Sequence, residues 1–144
     1  MTIRIVGMEE IEAHKRDVHR ITRDRAYDYF QNRGWQHGYD QQDWFRAEGE
    51  LKYTPRCDFT PIPNNLIIKA LAPEFNYIMV AFESNRLFIA GKRELNSVSN
   101  GQFFTLIDEE IPIDEEIPPT RHVDPAGAEA SFDGKVIVIR LPMA

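Results

Sequence analysis

The sequence has few of the residues from which most active sites are built. It contains one cysteine, Cys57, so an internal disulfide is impossible, which fits a reducing cytoplasm. Of four histidines, His14 and His19 stand five apart and so fall on different faces of a helix, unlike the i, i+4 pair of a zinc helix. His37 and His122 complete the set. There is no Gly-rich phosphate loop, no Ser/His/Asp arrangement, no internal repeat and no low-complexity tract. No apolar run approaches the roughly 20 residues a membrane helix needs. Met1–Gly7 lacks the apolar stretch of a signal peptide. Formal charge is −6, which argues against generic nucleic-acid binding. The expectation is a cytoplasmic, non-catalytic protein with no metal, no cofactor, no nucleic-acid partner and no membrane contact.

The charge is unevenly placed. Residues 1–52 hold nine Lys/Arg and ten Asp/Glu, whereas residues 53–144 hold eight and thirteen. The excess sits in Asp108-Glu109-Glu110 and Asp114-Glu115-Glu116. Carboxylates in such runs read as a solvated edge and not as an acid/base dyad.

Residues 1–52 read as a helical hairpin. From Glu9 to Asn32 there is neither Pro nor Gly, and Ile11, Val18, Ile21, Ala26, Tyr29 and Phe30 share one side at a period of 3.6. Glu9, Glu10 and Glu12 favour the positive end of the helix dipole, and Arg33-Gly34 is a helix stop. Asp40 looks like the N-cap of a second helix to about Lys52, with Asp43 three residues on and Trp44, Ala47 and Leu51 on one face. Helical spacing makes the aromatic side chains core residues before ligand contacts. Ile21, Arg25-Ala26-Tyr27, Arg33-Gly34, Gly38, Asp40, Asp43-Trp44 and Arg46-Ala47-Glu48 resemble domain-of-unknown-function family 2934 over about Ile21 to Leu51. That resemblance implies no activity. A hairpin this small buries little by itself, so it reads as a docking or capping element.

Residues 53–65, with Pro55, Pro61 and Pro63, suit an extended linker. Residues 66–144 read as an antiparallel β-sandwich of short strands separated by turns. These are Leu66–Ala70, Ile78–Phe82, Arg86–Ala90 after the turn Ser84-Asn85, Phe103–Ile107, Ile111–Ile117 ended by Pro118-Pro119, Ala128–Phe132 and Val136–Leu141. The fold class is therefore α+β, mainly β. The strands Ile78–Phe82 and Val136–Leu141 are apolar on both faces, which requires a second cover. The hairpin, another subunit or an unfolded client would serve.

The sandwich resembles the small heat-shock (alpha-crystallin) proteins over about Leu66 to Pro142. Leu71-Ala72-Pro73-Glu74-Phe75 looks like the family's Leu-Pro-Gly-Phe turn with Glu74 in place of Gly. Asn85–Arg93 is similar to its Asn-x-Leu-x-Ile-x-Gly-x-Arg strand. Ile117-Pro118 with Val123-Asp124, then Ala130-x-Phe132 and Leu141-Pro142, match its later landmarks. Lys135 stands where the family has a turn Gly, with Gly134 one place early. The chain stops at Ala144, so the tail whose Ile-x-Ile motif builds large shells is not expected. Ile111-Pro112-Ile113 reads as a strand bend within the sandwich.

The resemblance implies an ATP-independent holdase that binds exposed apolar segments of unfolding clients. Its groove would lie between Ile78–Phe82 and Ala128–Phe132, with Ile78, Val80, Phe82, Ala128, Ala130 and Phe132 as contacts. On this reading, charging Val80 abolishes binding and leaves the fold intact. An exchange strand at Phe103, Phe104, Leu106 and Ile107 would make a homodimer and not a large shell. The alternative is a non-catalytic adaptor that binds one specific protein partner. Cys57, in the linker, reads as inert.

Overall fold

The structure is a computed structural model describing residues 2–97, 101–117 and 121–143, without the side chains of residues 95–97 and 102–104. Pro118 and Pro119, and the side chains of Phe103 and Phe104, fall outside those described residues.

Two four-stranded sheets form a sandwich. One has the order β1 (Thr2–Ile5), β4 (Tyr77–Glu83), β5 (Arg86–Ser97), β6 (Gly101–Pro112); the other has β2 (Cys57–Ile62), β3 (Asn65–Leu71), β8 (Val136–Pro142), β7 (Glu129–Phe132). Within the sheets every pairing is antiparallel except β1 on β4. Alternation along the strands sends Leu66, Ile68, Ile78, Val80, Leu87, Ile89, Ile107, Ile137 and Ile139 into one core between the sheets.

The turns explain both departures from the small heat-shock pattern. Gly134 takes φ +94°, and the Asp133 carboxylate accepts the Lys135 and Val136 amides at 2.9 and 2.8 Å. The turn thus keeps its left-handed glycine one position early. Those amides, Val136 first, hold the Asp133 carboxyl below its ordinary range. Glu74 adopts φ +63°, the conformation a glycine takes freely, while its amide donates to the Gly134 carbonyl at 2.8 Å and Phe75 is fully buried beside it. Ser84 and Asn85 both have positive φ, the two-residue turn that matches strand twist.

Several expectations are corrected. The segment 53–65 is extended, but it is no connector: β2 lies within it and pairs along β3 from Cys57↔Ala70 to Ile62↔Asn65. Pro61 is tolerated because β2 is an edge strand, and Pro63 falls in the turn that follows it. The two strands expected at Phe103–Ile107 and Ile111–Ile117 are instead one long strand, β6, followed by a 3₁₀ turn at Asp114–Glu116. Ile113 after the bend is fully buried, and its amide donates to the Asn85 carbonyl.

The helices α1 (Met8–Asn32) and α2 (Asp40–Leu51) form the expected hairpin. Asp40 begins α2 but makes no side-chain cap. Asp43 instead receives both guanidinium nitrogens of Arg33 at 2.8 Å, which ties the end of α1 to the start of α2. The hairpin lies on the outer face of the β1-β4-β5-β6 sheet. Ile11 packs on Met79, Ala81, Phe88 and Ala90, while Val18, Ile21 and Leu51 enclose Leu106. Buried His14 donates Nε2–H to the Ile107 carbonyl at 2.8 Å. The second face of β4 is therefore covered by the same chain. Val136 and Val138, on the outer face of the other sheet, stay half-buried.

Two outcomes follow. Leu106→Ala should leave a hole under both helices and cost about 2–5 kcal/mol, lowering the thermal midpoint by on the order of 10 °C by circular dichroism. The second concerns acid. The Arg33 hydrogen bonds outweigh partial burial and hold the Asp43 carboxyl below its ordinary value. A depressed carboxylate contributes stability that is present above the unfolded value, about 3.9, and lost as pH falls through the folded one. Acid titration below about pH 4 should therefore loosen the hairpin turn, and Asp43→Asn should remove that step from the titration.

Candidate functional site

The candidate site is the slot between β4 and β7, at one open side of the sandwich. All six residues expected there gather around the central core, but in two roles. Ile78 and Val80 are buried floor, at 1% and 0% exposure. Phe82, Ala128, Ala130 and Phe132 are half-buried walls packed against that floor. Val80→Asp would thus place a carboxylate in the core and unfold the domain. Only the wall residues tolerate a charge, so the expectation for Val80 is corrected.

The slot is occupied. Strand β1 runs parallel along β4 in the register Thr2↔Tyr77, Ile3↔Ile78, Arg4↔Met79 and Ile5↔Val80, and the Val6 amide donates to the Val80 carbonyl at 2.8 Å. β1 also lies against β7, and Ile3 packs into the core cluster. Arg4 faces outward, 3.2 Å from Glu10 and 3.7 Å from the Met79 sulfur. Ile5 is 43% exposed. The connection to α1 is only Val6-Gly7, and a Cβ at Gly7 would meet nothing within 4 Å. Sequence reasoning missed β1, although Thr2-Ile3-Arg4-Ile5 alternates polar and apolar side chains ahead of a glycine.

The expected exchange strand is engaged within the chain. β6 pairs along its length with β5, Ile107 belongs to the core and Leu106 is enclosed by the helices. The outer edge of β6 is partly used, because the Tyr53 amide donates to the Leu106 carbonyl at 2.8 Å. Exchanging Leu106 or Ile107 would undo those contacts. The backbone of Phe103 and Phe104 pairs with Leu95 and Glu94.

Burial, with Glu109 and Asp58 nearby, pushes the Cys57 thiol up to about 11, so little thiolate forms near neutrality. Among the described residues no three His, Cys, Asp or Glu side chains gather closely enough to share a metal ion. Arg93, the last residue of the Asn85–Arg93 pattern, donates to the Pro73 carbonyl at 2.8 Å and stacks over Phe75, pinning the Pro73–Phe75 turn. No helix among the described residues is long and apolar enough to cross a membrane.

Comparison with known proteins separates the two parts. Residues 19–52 match a family model described as Protein of unknown function (DUF2934). No curated protein matches the chain. Among solved structures, heat shock protein 16.0 from Schizosaccharomyces pombe is similar at 19% identity and TM-score 0.51, over 62% of this chain and 86% of that one. The hspA protein of Xanthomonas axonopodis is similar at 21% identity and TM-score 0.49, over 62% and 93%. HSP18.5 from E. histolytica is similar at 15% identity and TM-score 0.49, over 62% and 88%. The likeness to the Schizosaccharomyces pombe protein shows that the sandwich has the small heat-shock protein fold.

Ile3→Asp should release β1 by placing a charge against the apolar floor, at a cost of about 1–3 kcal/mol. Bis-ANS fluorescence should rise as Phe82 and Phe132 are uncovered. Thr2→Asp, at an exposed position, is the control and should change neither signal.

Proposed function

We propose that this chain is a non-catalytic, ATP-independent holdase-like protein that captures exposed apolar segments of unfolding proteins. The observation that carries this reading is β1 in its slot. An extended segment pairs its main chain with β4 while one apolar side chain, Ile3, enters the core. That is strand addition with alternate-side-chain recognition, a mode any sequence with one apolar face can use. A client strand would take the place of β1 and contact Phe82, Ala128, Ala130 and Phe132. The small heat-shock fold supports the same reading. Self-association through the strand that carries Phe103, Phe104, Leu106 and Ile107 would give a homodimer in the cytoplasm.

A second reading is favoured by the closed state of the slot. A protein whose slot is filled by its own strand offers little free apolar surface there, as suits an adaptor with one specific partner.

Light scattering of three unrelated heat-labile proteins, without ATP and at equimolar ratio, separates the two. The holdase reading expects suppression of all three aggregations, stronger suppression by Ile3→Asp and weaker by Phe132→Asp. If neither the wild type nor Ile3→Asp suppresses any of them, the holdase reading fails and the adaptor stands.

A further inference from the structure

Strand β1 fills only part of the slot. Its pairing with β4 runs from Thr2↔Tyr77 to Ile5↔Val80, and the bond from the Val6 amide to the Val80 carbonyl ends it. β4 itself continues to Glu83. Main-chain groups point to alternate edges along a strand. The Val80 carbonyl faces β1, so the N–H and C=O of Phe82 face the same edge, beyond the end of the pairing. Phe82 is half-buried there, and Glu83 is exposed.

The chain cannot follow β4 to that point. Gly7 caps α1, its carbonyl accepting the Glu10 amide at 3.2 Å, and Met8 is already helical. The helix is docked through Ile11, which packs with Met79, Ala81 and Phe88. β1 is thus turned away from the edge two residues after Ile5. In the register that β1 sets, the position opposite Phe82 falls to Gly7, which has no side chain, and a Cβ there would meet nothing within 4 Å. Alternation directs Ile3 and Ile5 to the same face, yet Ile3 packs into the core while Ile5 stays 43% exposed.

β1 is therefore a short occupant of a longer edge. A segment of the same length gains only the contacts that β1 gives up. A longer extended segment gains more. Opposite Phe82 it adds main-chain bonds to groups that β1 does not reach, and an apolar side chain at that place packs against the Phe82 ring. Groups left open at the end of an occupied edge are also where pairing can begin while β1 is still in place.

We propose that the end of β4 at Phe82 is a toehold from which client strands displace β1, and that the slot selects extended segments longer than β1 with an apolar side chain opposite Phe82. This rests on the client-binding reading and names the segments that the slot admits.

The experiment uses the full chain and three fluorescein-labelled synthetic peptides, read by anisotropy. One is Thr-Ile-Arg-Ile, the sequence of β1. The second is Thr-Ile-Arg-Ile-Thr-Leu-Ser, which sets its Leu opposite Phe82 in the β1 register. The third has Ser in place of that Leu. The Leu peptide should bind the wild type at least about ten-fold tighter than either of the others. In Phe82→Ser, checked as folded by circular dichroism, that advantage should fall to within about two-fold. Ile3→Asp, with β1 released, measures binding to the open slot and should take up all three peptides more tightly than the wild type. If Ile3→Asp binds the peptides but the wild type binds the Leu and Ser peptides within two-fold of each other, the toehold proposal fails and client binding stands. An advantage that survives Phe82→Ser in full also overturns it. If no peptide binds Ile3→Asp, the client-binding reading fails and takes the toehold with it.

Discussion

Strand β4 is buried on both faces and bonded along both edges. Ile78 and Val80 enter the core between the sheets, while Met79 and Ala81 lie under Ile11 of α1. One edge pairs with β5 and the other with β1. In a two-layer sandwich Met79 and Ala81 would face water, and covering them favours a third layer. The helical hairpin supplies that cover, packing along the outer face of the sheet. Its contacts are apolar along most of their length, with His14 satisfying the Ile107 carbonyl beside them.

This explains the residues of the segment that matches the family of unknown function. Ile21, Ala47 and Leu51 are buried, the latter two at 0% and 1% exposure; Ile21 and Leu51 close over Leu106. Arg33 and Asp43 lock the turn, Arg25 pairs with Glu50 at 3.0 Å, and Gly34 takes φ +76° at the helix stop. Trp44 lies against His19 at 4.8 Å and helps hold the helices together. Each of these does structural work. Tyr27 and Trp35 pack on Phe30 and on each other, and the Trp35 amide closes the end of α1 on the Phe30 carbonyl.

The helices, the sandwich and most of its turns were legible because each is written locally. Period-3.6 apolar spacing marked α1 and α2, and Asp133-Gly134 and Ser84-Asn85 marked turns. What was not legible depends on distant partners. Thr2–Ile5 is too short to count as a strand until β4 offers it an edge. Cys57–Ile62 carries a proline and looks like a linker until β3 pairs with it. Glu74 in a glycine position gives no local warning, because its φ is imposed by hydrogen bonding to the far turn at Gly134. The residues expected to line the groove were legible as facing strands, but floor and walls could not be told apart. Ile78 and Phe82 face the same way, and only the third dimension buries one and leaves the other at the rim.

The short tether of β1 sets the terms of any exchange in the slot. On the proposed reading, a client strand replacing β1 would gain main-chain bonds and apolar contacts of the kind that β1 gives up, so the exchange would be nearly balanced in contact energy. The remaining bias is the tether. With only Val6-Gly7 between β1 and a docked helix, the released strand remains at an effective concentration of millimolar order or above. A single weak segment at cellular concentration cannot compete with that. A client held elsewhere on the same molecule can, because its own segments then act at comparable effective concentration. On the proposed reading a slot shut by a tethered strand is thus selective: it would respond to chains that expose several apolar segments at once, as unfolding proteins do, and pass over folded proteins with one exposed apolar residue.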